Sequence, residues 1–189
     1  MTKDRVIVIS GPSGSGKTTI LKNILPHFPQ LRFSVSATTR PKREHEIHGE
    51  DYYFISIDEF RKKIEAGEFV EYEEVYPDIM YGTLRSEITR LNMEEYCPVL
   101  DIDVAGAVSI KNIYVQNAFL LFIDPGSLQT LRERLTGRNT EDEDSIKMRL
   151  SKAEKEMKLA VRFDRIVMNI DINKAVEECK TLISNFLKK

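Results

Sequence analysis

Gly11-Pro-Ser-Gly-Ser-Gly16-Lys17-Thr18 matches the pattern G-x-x-x-x-G-K-[ST] at every position. Val6 to Ile9, just before it, is a short β-branched run, and a helical stretch through Leu25 follows. That context is what gives the motif its meaning. Phosphates carry dense negative charge and need many donors at short range. Glycines let successive backbone N–H groups point into one concavity with no Cβ in the way. The helix opening near Lys17 adds its positive end. The Lys17 ammonium would reach the β- and γ-phosphates of a nucleoside triphosphate, and the Thr18 hydroxyl would ligate Mg²⁺. A Mg²⁺-nucleotide site also wants a carboxylate at the end of a neighbouring strand. Leu100-Asp101-Ile102-Asp103 offers two, and Asp101 is the candidate to hold the metal shell, partly through water.

The elements that must position this loop alternate along the chain. Strands are expected at Val6–Ile9, Arg32–Ser36, Asp51–Ile57, Phe69–Val75, Pro98–Asp103, Ala118–Ile123 and Arg165–Met168. Helices are expected at Glu59–Ala66 behind an Asp58 cap, and at Leu84–Met93, Ser127–Leu135, Asp144–Leu159 and Ile172–Leu187. Buried strands alternating with helices indicate an α/β fold of the P-loop nucleoside triphosphate hydrolase type, with a parallel sheet core. Shorter strands and more tyrosine between Ser34 and Thr83 suggest an inserted lobe. The expected division is one domain over 1–189, with core segments 1–33, 84–124 and 159–189. The inserted lobe takes 34–83 and a helical lid 125–158.

Composition narrows the function. Lys plus Arg is 28 against 30 Asp plus Glu, a net charge of −2. That balance argues against a general nucleic-acid binder. No apolar run approaches the roughly 20 residues of a membrane-spanning helix. Cys97 and Cys179 lie 82 positions apart in no metal pattern and read as buried thiols. His27, His45 and His48 have no ligand-like spacing and read as loop residues. The opening MTKDRVIVIS has no secretory apolar core, so a cytoplasmic protein is expected. Oligomeric state stays open.

Arginines say more about the phosphate acceptor. Arg40 and Arg43 follow hydroxyl residues; Arg132, Arg134, Arg138 and Arg149 lie in the later helical region. Clusters on either side of a core suit transfer between two phosphate-bearing substrates, where catalysis is positioning plus charge neutralisation.

At this point the sequence resembles the guanylate kinase family. The likeness runs over essentially the whole chain: ISGPSGSGKTT (9–19), FSVSATTRPKR (33–43), GEDYYFI (49–55), EFVEYEEV (68–75), YGT (81–83), VLDIDVAG (99–106), RLTGR (134–138) and SIKMRLSKAEKEM (145–157). The resemblance implies transfer of the γ-phosphoryl group of ATP to GMP, and also to dGMP, with Mg²⁺ as cofactor and no nucleic-acid or membrane partner. It places ATP on Gly11, Pro12, Ser13, Gly14, Ser15, Gly16, Lys17, Thr18 and Thr19, with Asn169, near Asp171, at the adenine. Ser36, Arg40, Arg43, Tyr52 and Tyr81 would hold the GMP phosphate, and Glu71, Thr83 and Asp103 would read guanine. Lys17, Arg40, Arg134, Arg138 and Arg149 would act on the transferring group. Chemistry agrees at Glu71: guanine presents N1–H beside an exocyclic NH₂, and one carboxylate can accept both. The chain departs from the family pattern at His45, at Met80 before a single Tyr81, and at Ile170 after Asn169. Three alternatives stay open: a kinase of another phosphorylated small molecule such as a ribose bisphosphate, a different nucleoside monophosphate kinase, and a non-catalytic binding module of the same fold.

Overall fold

The structure is a computed structural model that describes residues 5–137 and 143–188. In chain order the strands are β1 (Val6–Ser10), β2 (Leu31–Phe33), β3 (Ala37–Thr38), β4 (Tyr53–Phe54), β5 (Phe69–Tyr76), β6 (Ile79–Leu84), β7 (Cys97–Asp101), β8 (Ala118–Asp124) and β9 (Arg165–Met168). The helices are α1 (Lys17–Ile24), α2 (Ile57–Glu65), α3 (Arg85–Met93), α4 (Val104–Tyr114), α5 (Leu128–Thr136), α6 (Glu143–Lys158) and α7 (Ile172–Leu187).

Five strands form an all-parallel sheet in the order β2-β7-β1-β8-β9. Strand β1 is central and wholly buried, which is why its sequence is apolar on both faces. Ile7 and Ile9 pack on one side with Ile20, Ile24, Val176 and Ile183 of α1 and α7. Val6 and Val8 pack on the other with Ile88, Val104 and Ile110 of α3 and α4. Parallel strands bring their carboxyl ends to one edge, and ligands bind at that edge in such sheets. The loop after β1 and Asp101 at the end of β7 therefore meet there.

A second, mixed sheet runs β4-β3-β6-β5 and has its own core of Ala37, Phe60, Phe69, Met80 and Leu84. Helices α5 and α6 pack through Leu131, Leu135, Ile146 and Ala153. Among the described residues, no helix is long and apolar enough to cross a membrane.

Local differences from the expected elements have local causes. The strand expected over Asp51–Ile57 shrinks to Tyr53–Phe54, because Asp51 turns back to accept from the Ile47 N–H (2.7 Å) and Ile57 already opens α2. The cap of α2 is Ser56, not Asp58; its hydroxyl accepts from the Glu59 N–H at 3.2 Å. Ser56→Ala should cost about 1 kcal/mol, read as a melting temperature lower by ~2–4 °C. A melting curve unchanged within error would remove that role.

Candidate active site

The loop between β1 and α1 wraps an open concavity. Gly16 stands at the N-cap of α1 with φ 97°, a left-handed conformation that suits glycine. A Cβ there would also collide with the Asn169 side-chain amide. The Lys17 ammonium folds onto the loop, donating to the carbonyls of Gly11 (2.7 Å) and Pro12 (3.2 Å). The Thr18 hydroxyl donates to Asp101 Oδ2 at 3.4 Å. Burial pushes the Asp101 carboxyl above the usual carboxylate range, against the Lys17 charge and the Thr18 hydrogen bond.

This loop forms one wall of a cleft of about 490 Å³. Ser13, Gly14, Lys17, Thr18, Thr19 and Asp101 line the sheet side, and Ser36, Tyr52, Glu71, Tyr81 and Asp103 line the far side. Helix α6 closes a third side with Arg149, Lys152 and Glu156. Arg149 donates to the Ser13 hydroxyl at 3.1 Å, and Lys152 pairs with Glu73 on β5 at 2.8 Å.

On the far side, Glu71 is only 9% exposed and Thr83 is fully buried. Strands β5 and β6 set them in register as cross-strand partners, and the Thr83 hydroxyl donates to Glu71 Oε1 at 2.6 Å. Burial raises the Glu71 pKa, with the Thr83 hydrogen bond opposing. Asp103 caps α4, accepting from the Gly106 N–H at 2.6 Å. Its carboxyl is raised by burial and then by its hydrogen bond with Glu73.

Arg40 is fully engaged. Its two terminal nitrogens hold both oxygens of Glu46 at 2.9 and 2.7 Å, and its Nε donates to the Tyr81 hydroxyl at 3.2 Å. The Glu46 carboxyl is held down at about 2, first by Arg40, with the Arg43 backbone N–H adding to it. The guanidinium also lies 5.3 Å from the Tyr52 ring centre.

Several expected site residues stand elsewhere. Thr83 sits behind Glu71 and does not line the cleft. Arg43 gives its backbone N–H to Glu46 (2.7 Å), and its side chain is exposed outside the cleft lining. Asn169 is buried beneath the phosphate loop, where its amide donates to the Ser15 carbonyl at 2.7 Å. Arg134 reaches the carbonyls of Asn169 (2.6 Å) and Ser15 (3.4 Å), so it braces the loop from behind. The hydroxyl of Ser15 is buried, and Pro12 contributes a carbonyl to Lys17. Arg138 lies outside the described residues. Sequence reasoning missed Glu73, Lys152 and Glu156. A signal existed for two of them, since 149, 152 and 156 fall on one face of a helix.

A phosphate loop on the central strand of a parallel sheet, faced across a cleft by a separate lobe, is the architecture of the P-loop kinases. The guanylate kinase family model matches residues 3–186. The chain is 49% identical to the guanylate kinase of Salinibacter ruber, over 99% of both chains. It is 47% identical to that of Porphyromonas gingivalis, over the full length of both. The crystal structure of guanylate kinase from Anaplasma phagocytophilum superposes with a TM-score of 0.74 at 28% identity, covering 96% of this chain and 85% of that one. The chain belongs to the guanylate kinase family.

Proposed function

We propose that ATP and GMP meet in this cleft, with the triphosphate on the β1–α1 loop and the acceptor in the mixed-sheet lobe. The reaction is the ATP-dependent phosphorylation of GMP, giving ADP and GDP. dGMP is accepted too, since it brings the same base and the same phosphate. The observation that carries the substrate assignment is Glu71, a buried carboxylate held by Thr83 and facing the cleft. Its two oxygens suit the adjacent N1–H and NH₂ of guanine. The unprotonated N1 of adenine would face a carboxylate with no proton between them.

Ser36, Tyr52, Tyr81 and Arg40 take the acceptor phosphate, with Arg43 swinging in from the loop. Lys17 leaves the two loop carbonyls for the β- and γ-phosphates. Arg149 follows the transferring group from α6, joined by Arg138, while Arg134 and Asn169 hold the loop in shape from below. The acceptor oxygen is already ionised, so no strong general base is needed. The rate comes from alignment and from cations placed where charge is crowded. Closure of the lobe (34–83) and lid (125–158) on the core excludes water that would otherwise take the phosphoryl group.

Mg²⁺ is the fitting metal here. Thr18 and Asp101 bring one hydroxyl and one buried carboxylate to the edge of the phosphate loop, a hard-oxygen pair of the kind Mg²⁺ takes beside substrate phosphates. Bound there with ATP, it would neutralise β- and γ-oxygen charge.

The test is ADP release from Mg-ATP with GMP, dGMP, AMP, UMP, CMP and ribose 1,5-bisphosphate as acceptors. Release with GMP and dGMP alone supports the reading. Release with another acceptor discards the substrate, and none at all from folded, ATP-binding protein favours a binding module.

A pH dependence follows from the raised Glu71 and Asp103 carboxyls. A protonated Glu71 presents an O–H to a guanine N–H, so binding needs the ionised form. Because the pKa is raised, kcat/KM for GMP should fall on acidification at a pH above the ordinary carboxylate range. A GMP profile flat down to pH 4.5 would contradict this.

A further inference from the structure

We propose that Gly106 is a specificity-determining positioning residue: its missing side chain sets how Glu71 is seated at the guanine edge. The proposal rests on the GMP reading above. Gly106 lies in the first turn of α4 and is buried. Its backbone is not in the left-handed region, so conformation does not call for glycine. Within a helix glycine is disfavoured relative to alanine. Space is what calls for it. A Cβ at 106 would stand 2.6 Å from Glu71 Oε2, 3.1 Å from Glu71 Cδ and 3.0 Å from Asp103 Oδ1.

Glu71 has little freedom to yield. Its other oxygen is held by Thr83 at 2.6 Å, so the carboxylate cannot pivot without losing that bond. Asp103 is held as well, by the Gly106 N–H itself. The close approach also sets the Glu71 carboxylate against the N-terminal turn of α4, whose positive end favours the ionised form that burial disfavours. A smaller cavity of about 230 Å³, lined by Glu71, Glu73, Asp103, Gly106 and Ser109, adjoins the pair. It gives a displaced carboxylate room without disrupting the core. Glycine at 106 thus trades helix propensity for the placement of one carboxylate.

The geometry specifies a compensating change. Glu71→Asp withdraws the carboxylate by one methylene, roughly the space a Cβ at 106 needs. Gly106→Ala, Glu71→Asp and the double variant are compared by GMP titration calorimetry and by KM for both substrates. Each single substitution should weaken GMP binding about tenfold or more with KM for ATP unchanged. In the Glu71→Asp background the added Cβ should cost little further GMP affinity, a non-additivity that two independent structural lesions would not produce. If Gly106→Ala does not fold, the comparison of the double variant with Glu71→Asp still decides. A double variant about tenfold or more weaker than Glu71→Asp, or a Gly106→Ala protein with normal GMP affinity, overturns the proposal. Wild-type protein that fails to bind GMP would instead overturn the reading beneath it.

Discussion

Lys17→Ala is expected to lower kcat by on the order of 10³-fold or more while leaving the fold intact. Lys17 is the cation inside the phosphate loop, and among the described residues its hydrogen bonds go to the carbonyls of Gly11 and Pro12. Both carbonyls belong to the loop lining an open cleft, so water replaces the ammonium at small cost to stability. The triphosphate loses a charge that nothing else on the loop supplies. GMP affinity should hold, because among the described residues Lys17 makes no hydrogen bond to the acceptor lobe. Circular dichroism melting, GMP calorimetry and single-turnover kinetics separate these quantities. A folded variant turning over near the normal rate would remove the loop from the chemistry.

The second large effect is at Glu71. Glu71→Gln keeps size and shape and can still accept from Thr83, but it replaces one acceptor oxygen with a donor NH₂. A guanine N–H would then face an N–H in a buried site, with no water to relieve it. Loss of kcat/KM for GMP of about 10²–10⁴-fold is expected, with KM for ATP unchanged. Discrimination against AMP should narrow from both sides, because the carboxylate that faced adenine N1 is gone. Steady-state kinetics with both acceptors read this directly. An unchanged GMP-to-AMP ratio would deny Glu71 its role as base reader.

The parallel core was open to sequence reading because its signals are local. A wholly apolar β1 followed by a full phosphate motif leaves little choice, and α7 and β9 fall on the expected residues. Three elements went unread: β3, only two residues long, β6 and α4, the last two for physical reasons. Strand β6 contains Gly82, a residue that weakens strands. The structure shows why it is there: a Cβ would stand 2.8 Å from the Phe69 ring and 2.9 Å from the Glu71 carbonyl. Helix α4 carries glycine and β-branched residues with poor helix propensity, and it forms because Val104, Ala107 and Ile110 bury against the sheet. In the site, motif and resemblance brought out Glu71, Asp101 and Asp103. They could not show that Thr83 and Asn169 act from behind, since depth in a wall is a tertiary property. Nor could they show that Glu46 holds Arg40, a partnership made by the turn of the loop between them.

That last pair bears on what the lobe ignores. Inorganic phosphate accompanies nucleotide chemistry everywhere, and a bare arginine in a phosphate seat would hold it much of the time. On the proposed reading Arg40 is such a seat, and Glu46 already occupies it. Glu46 lies on the same loop, six residues from Arg40, and so acts at the high effective concentration of any tethered ligand. A free oxyanion competes against it with one handhold only. On that reading a nucleotide would compete with two, its base at Glu71 and its phosphate at Arg40. The Arg40–Glu46 pair would then favour a ligand that brings both over phosphate alone.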